Sequence, residues 1–310
     1  MRKDRTPIIV FVYNRLEHVK NCLNSLRLAN GAMESEVYIF SDGPKKGQDE
    51  NVMAVREFIN NIELKRYFKT VNVVESEKNN GLAESIIQGV TDIVTKYGRC
   101  IVLEDDTIVA EDFLDYMNDG LEFYKDNKKI WSVAGMSLID AKKIGTDVYF
   151  MGRVCSCAWA TWKDRWDLID WEVTDYKSFK YNLIRRHRFN EFGTDRSNML
   201  DRQMLKKINS WAIRFDYAEF QNDMLTVYPR YTKVKDNGHD GSGTHFTKSD
   251  NKLDVELPER IFEYKLNNYV IVDPMIKKEY NKFFALRWQA RLKRFILREI
   301  ENVTGKKVFK

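Results

Sequence analysis

Short, uninterrupted apolar runs separated by amphipathic stretches leave this chain few folds to choose from. Ile8-Ile9-Val10-Phe11-Val12 carries no polar residue on either side of a pleat, so a strand here must be covered on both faces. Leu16, Val19, Leu23 and Leu26 follow at helical spacing and mark one buried helix face. The run at 37–40 predicts a second strand, closed by the turn residues Ser41-Asp42-Gly43-Pro44. A helix over about 49–60 leads to a third strand at 71–74. Leu82, Ile86, Val90, Ile93 and Tyr97 form the next helical stripe, and Cys100-Ile101-Val102-Leu103 the fourth strand. A helix carrying Phe113, Leu114, Met117, Leu121 and Tyr124 then precedes a fifth strand at 130–134. Strands joined by crossover helices imply an α/β fold with a mostly parallel, Rossmann-like sheet flanked by helices. Ligands of such sheets sit beyond the carboxyl ends of the strands.

Three polar clusters fall at those ends: Asn14-Arg15, Ser41-Asp42-Gly43 and Glu104-Asp105-Asp106. The acidic triplet is the most informative. Three adjacent carboxylates repel one another, and neither strand nor helix needs them there. A hard cation such as Mn²⁺ or Mg²⁺ would neutralise them and bridge to phosphate oxygens. Acids also stabilise helix N-termini, but Glu111 and Asp112 already serve the next helix. Side-chain alternation suggests that one of the three faces the sheet while its neighbours reach the cleft. Asp42-Gly43 reads either as a nucleobase or ribose contact with close backbone approach, or as a plain turn. Arg15 offers a guanidinium fork to a diphosphate, or a solvated helix start. Neither G-x-G-x-x-G after the first strand nor G-x-x-x-x-G-K-[ST] occurs, which argues against dinucleotide enzymes and P-loop NTPases.

The second half is less regular. Trp159, Trp162, Trp166 and Trp171 crowd one short segment and read as a core stripe or as sugar-stacking rings. A polar helical stretch over about 177–208 follows, and a turn-rich segment spans 236–247. Cys22, Cys100, Cys155 and Cys157 fit no disulfide or zinc spacing and are expected to be reduced and structural. No run approaches the roughly 18 apolar residues of a membrane span, and the first residues lack a secretory pattern. A cytoplasmic location is therefore expected. The net charge is +5, yet residues 277–310 alone hold 11 Lys/Arg against 3 Asp/Glu, so the basicity belongs to the tail.

The order 7–15 (Pro-Ile-Ile-Val-Phe-Val-Tyr-Asn-Arg), Phe40-Ser41-Asp42-Gly43, Asn79-Asn80-Gly81-Leu82 and Val102-Leu103-Glu104-Asp105-Asp106 resembles the GT-A glycosyltransferases. The likeness is to bacterial polysaccharide-type enzymes and to the N-acetylglucosaminyltransferase I family. It covers residues 7 to about 135 and continues loosely through the tryptophans and Gly241-Ser242-Gly243-Thr244-His245. The resemblance implies a nucleotide-sugar donor, a UDP-sugar on this reading, and a glycan or lipid-linked acceptor. It makes Asp106 the Mn²⁺ ligand, with Asp105 and Glu104 at the ribose and donor sugar, Asp42 and Gly43 at the base, Arg15 at the phosphates, and Asn80 and Gly81 in the donor set. Inverting relatives place a catalytic carboxylate near a Trp-rich segment, but 209–214 (Asn-Ser-Trp-Ala-Ile-Arg) has no acid. Asp216 is favoured as the base, with Asp201 and Asp240 as alternatives. His239 and His245 flank the glycine-rich turn, and His245 is a candidate further metal ligand.

Residues 1–135 thus read as the donor half, 136–276 as the acceptor-side half of the same domain, and 277–310 as a basic amphipathic helical extension. Phe284, Trp288, Leu292, Phe295 and Ile296 beside Arg287, Arg291, Arg294 and Arg298 suit either an anionic membrane surface or docking on the domain. Membrane contact through 282–301 would put the protein at the inner face of the membrane. No aromatic-interleaved basic groove appears, so nucleic acid is not an expected partner. The rival functions are a sugar-nucleotide nucleotidyltransferase, which lacks here its glycine-rich loop after the first strand, and a carbohydrate-binding protein without turnover.

Overall fold

A computed structural model describes residues 5–61, 63–238 and 255–286, together with Ile296 and Ile300. The first half alternates as the hydrophobic pattern requires: β1 (Ile8–Val12), α1 (Leu16–Leu28), β2 (Glu36–Ser41), α2 (Asp49–Ile59), β3 (Thr70–Glu75), α3 (Leu82–Tyr97) and β4 (Arg99–Glu104). A short β5 (Thr107–Val109), α4 (Phe113–Tyr124) and β6 (Ile130–Ala134) follow. The second half adds β7 (Val148–Met151), β8 (Trp159–Trp162), α5 (Lys163–Trp166), α6 (Tyr176–Tyr181), α7 (Leu183–Phe189), α8 (Arg196–Met204) and α9 (Trp211–Gln221). It closes with β9 (Leu225–Pro229), β10 (Val234–Asp236) and α10 (Pro274–Phe283).

Eight strands form one sheet in the order β3-β2-β1-β4-β8-β6-β9-β7, and β10 pairs with β5 in a small second sheet. The expected α/β architecture is what forms. Strands β3, β2, β1 and β4 are parallel neighbours. β1 is buried at every residue because its alternate side chains enter two cores. Ile8, Val10 and Val12 pack with α1 and α4, whereas Ile9 and Phe11 pack with α3 and α9.

The sheet departs from a purely parallel order beyond β4. The fifth expected strand, β6, does not neighbour β4; β8 inserts between them, antiparallel to both. Trp159 of β8 faces the α3 side and stacks near Trp166 and Trp211, at ring-centroid distances of 5.9 and 5.0 Å. Trp162 faces the other core and donates its indole N–H to the Leu121 carbonyl at 3.1 Å. The tryptophans at 159, 162 and 166 are thus core residues on a strand and the helix after it. Burying such rings between two helical layers contributes more than any one solvent-facing stack would.

A helix that the sequence pattern did not suggest, α10, precedes the basic stretch and ends at Phe283. Asp273 caps α10 by accepting from the Met275 and Ile276 amides, with Pro274 in the first turn. Ile276 and Tyr280 bury against Tyr149 and Tyr228, and the Tyr280 and Tyr149 hydroxyls meet at 3.1 Å. This helix is docked on the sheet. Of the basic helical pattern at 282–301, all but 282–286, Ile296 and Ile300 lies outside the described residues. No helix of the described residues is long and apolar enough to cross a membrane.

Candidate active site

The parallel arrangement brings three strand ends to one edge. β1 lies between β2 and β4, with Phe11 level with both Phe40 and Glu104. Asn14-Arg15, Asp42-Gly43 and Glu104-Asp105-Asp106 therefore converge although they are far apart in sequence. A cavity of about 190 Å³ opens there. Its acidic wall is Glu104, Asp105 and Asp106, and its other lining residues include Tyr13, Arg15, Phe40, Asn79 and Gly81.

All three acids line the cavity, rather than one turning back into the sheet. Arg15 crosses from the start of α1 and joins two of them. Its Nη2 pairs with Asp105 Oδ1 and lies 2.8 Å from Asp106 Oδ2. Burial works against the charged guanidinium, but the Asp105 and Asp106 charges outweigh it and hold the proton more tightly than usual. Burial, opposed by Arg15, moves the Asp105 carboxyl up to about 6. Burial together with the Asp106 and Asp105 charges raises Glu104 well above the ordinary carboxylate range. Packing like charges in a recess is costly unless a cation offsets them.

Asp236 stands close behind this wall without lining the cavity, and the sequence reading missed it. Pairing of β10 with β5 sets Asp236 opposite Thr107, directly after the triplet. The Asn237 amide donates to the Asp106 carbonyl at 2.8 Å. Gly238 then passes so close that a Cβ there would lie 2.6 Å from Asp106 Oδ2 and 3.1 Å from Asp236 Oδ1. A larger residue at 238 would collide with both carboxylates. The donor set is all oxygen, which suits a hard cation. Among the described residues no group of three His, Cys, Asp or Glu side chains closes a metal cage. A wall of this kind fits an ion shared with phosphate oxygens, since such ions often take one or two carboxylates plus the phosphates. The candidate ligand His245, with His239, lies outside the described residues.

The rest of the expected donor set is placed unevenly. Gly81 lines the cavity, and so does Asn79, which the sequence reading passed over in favour of its neighbour. Asn80 turns its side chain to Ser76 Oγ at 2.9 Å instead. Tyr13 is fixed on the cavity wall, donating its hydroxyl to Gln48 Oε1 at 2.5 Å and accepting from the Lys45 amide at 3.0 Å. Asp42 borders the cavity, but its carboxylate faces the loop at 79–81 rather than open space. Gly43 does allow a close backbone approach, to Lys78 rather than to a ligand.

Two of the three candidate bases stand away from the cavity. Asp216 is 4% exposed on α9, with Oδ2 taking Arg196 Nε at 2.6 Å and Oδ1 taking the Val154 amide at 2.9 Å. Asp201 holds Arg186 through both oxygens, at 2.8 and 2.7 Å. Neither lines the cavity. Both acids serve packing, because a buried arginine requires a counter-charge. Asp240 lies outside the described residues.

Beside Asp216 sits a further acid with a measurable consequence. Glu219 is fully buried; Oε1 accepts from Thr226 Oγ1 at 2.7 Å and Oε2 has no hydrogen-bond partner. Arg196 and Arg153 are already matched by Asp216 and Asp195. Burial, then the Asp216 charge, holds Glu219 well above the usual carboxylate range. The folded state therefore keeps a proton that the unfolded chain releases above about pH 4.3. Stability falls as pH rises from there toward the folded value. Glu219→Gln is expected to raise stability at pH 7. The gain should vanish near pH 4, as read from urea denaturation at both values.

The family comparison agrees with this geometry: residues 8–129 match the family described as "Glycosyl transferase family 2". The matched segment covers less than half of the chain. Every cavity-lining residue named here except Gly238 falls inside it. The match supports the GT-A resemblance at the level of this family and does not extend to the N-acetylglucosaminyltransferase I family. A search of curated proteins finds no match. Among solved structures, the chain is similar at 13% identity to "Mannosyltransferase PcManGT from Pyrobaculum calidifontis in complex with GDP-Man and Mn2+", covering 52% of this chain and 46% of that one, with a TM-score of 0.34. It is also similar at 13% identity to S. aureus TarS, covering 73% of this chain and 36% of that one, with a TM-score of 0.36. For TarS 1–349 the coverage is 73% and 60%, with a TM-score of 0.38. The chain spans less than two thirds of each of these structures.

Proposed function

We propose that the protein transfers a sugar from a nucleotide-sugar, UDP-linked by our reading, to a glycan or lipid-linked acceptor, with inversion at the anomeric carbon. One observation carries the proposal. The segment similar to family 2 glycosyltransferases contributes an acidic, oxygen-rich wall and a wall of aromatic and amide groups to one cavity at the carboxyl edge of the sheet. The first suits a cation on a diphosphate, and the second suits a nucleoside. When bound, Mn²⁺ or Mg²⁺ would hold the diphosphate oxygens and stabilise charge on the leaving nucleoside diphosphate. Asp106 is the proposed ligand with Asp105 beside it, and Arg15 lies within reach of the same phosphates. Deprotonation of the acceptor hydroxyl needs a carboxylate on the acceptor side, and Asp240 is the remaining candidate of the original three.

On this reading 1–135 hold the donor and 136–276 face the acceptor. The basic pattern at 282–301 supports peripheral contact with an anionic membrane, where a lipid-linked acceptor would reside. The test is calorimetric titration with UDP-sugars in the presence and absence of Mn²⁺, followed by assay for release of UDP. Metal-dependent binding and slow donor hydrolysis are expected. Absence of binding by any nucleotide-sugar would sink the proposal. Pyrophosphate release from a nucleoside triphosphate and a sugar phosphate would instead identify a nucleotidyltransferase.

A further inference from the structure

The Asp42 carboxylate is saturated by its own chain. Oδ1 accepts from the Gly43 and Asn80 amides, each at 2.9 Å. Oδ2 accepts from the Gly81 amide at 2.8 Å and from Asn79 Nδ2 at 3.0 Å. A carboxylate has about four lone-pair sites, and these donors occupy them. The two loops concerned also meet backbone to backbone. Asn79 Nδ2 donates to the Gly43 carbonyl at 2.8 Å, and the Gly43 amide to the Lys78 carbonyl at 3.3 Å. A Cβ on Gly43 would lie 2.4 Å from the Lys78 carbonyl carbon. Arg56 fastens the same unit from behind, donating to the carbonyls of Asp42 at 3.3 Å and Ser76 at 2.7 Å.

The geometry points to Asp42 as a positioning residue that clamps 79–81 into the cavity wall ahead of α3, leaving the choice of nucleobase to other groups. This inference rests on the donor-cavity reading above. A base N–H could reach the carboxylate only by displacing the Gly43, Asn80 or Gly81 amide or the Asn79 side chain. Each displaced donor would lose a charge-assisted bond in a part-buried site. The other carboxylates lining the cavity, Glu104, Asp105 and Asp106, stand beyond β1 at the end of β4. Among the described residues, a base N–H on the Asp42 side is left a neutral acceptor.

Asp42→Asn tests the clamp, because it keeps the shape but turns one acceptor into a donor facing other donors. In the protein without nucleotide, hydrogen exchange of the Asn80 and Gly81 amides should accelerate by on the order of 10- to 100-fold. Affinities for UDP, GDP, CDP and dTDP with Mn²⁺ should fall by a common factor, with their ranking unchanged. Gly43→Ala leaves the carboxylate intact and pushes the loop at 78–81 away, so it should reproduce both effects. Unchanged exchange in Asp42→Asn, or loss confined to one nucleotide with Gly43→Ala binding normally, would overturn the positioning role. If the wild-type protein binds none of the four nucleotides, the donor-cavity reading has failed, while the exchange measurement still decides the clamp.

Discussion

Asp106→Ala is expected to lower turnover by on the order of 100- to 1000-fold, the scale of losing one preorganised electrostatic group at a developing charge. Mn²⁺-dependent binding of the donor should go with it. The reason lies in where this side chain stands. It ends the acidic wall, keeps 21% of its side-chain surface, and has Gly238 rather than a larger residue beside its Oδ2. Stability should not follow activity. Removing Asp106 takes one of two partners from Arg15, but it also relieves the repulsion that raises Glu104 and Asp105. Those changes oppose each other, so the melting temperature should stay nearly constant. Calorimetry with UDP-sugar and Mn²⁺, beside a thermal melt, separates the two. Unaltered metal-dependent binding would remove Asp106 from the site.

Asp216→Ala should do the reverse and damage the fold. Arg196 is 1% exposed and pairs with Asp216 at 2.6 Å. Its other hydrogen bonds among the described residues go to carbonyls, Phe189 at 2.8 Å and Asp216 at 3.3 Å. Removing the carboxylate strands a buried guanidinium and frees the Val154 amide as well. Breaking one side of such a pair typically costs about 3–5 kcal/mol, or roughly 6–12 °C in melting temperature for a chain of this size. Donor affinity per folded molecule should be unchanged, because Asp216 does not line the cavity. A variant that melts normally but has lost turnover would restore Asp216 as the base.

These two acids show what could and could not be read ahead of the structure. Asp106 was legible because it follows an apolar run, and in a parallel sheet a strand end is a fixed address. Arg15 was legible for the same reason, since adjacent parallel strands deliver their ends side by side. Asp216 was not. Its sequence neighbourhood looks like that of any helix acid, and its partner Arg196 sits on a different helix. Asp236 was hidden behind a two-strand pairing of three residues each, too short for a periodic signal. Asn79 differs from Asn80 only in the direction the loop turns its side chain.

The sequence by itself determined the layered α/β core, the strand ends that gather into one edge, and the acidic wall at that edge. Hydrophobic period and chain continuity dictate all three, and both are local properties of the chain. Only the tertiary structure decided that β8 enters antiparallel between β4 and β6, which consumes the tryptophans as core. It alone decided that Asp42 holds a loop and that Asp216 balances a buried arginine. A carboxylate's role depends on which donors reach its oxygens first. Those donors come from segments the local pattern cannot bring together.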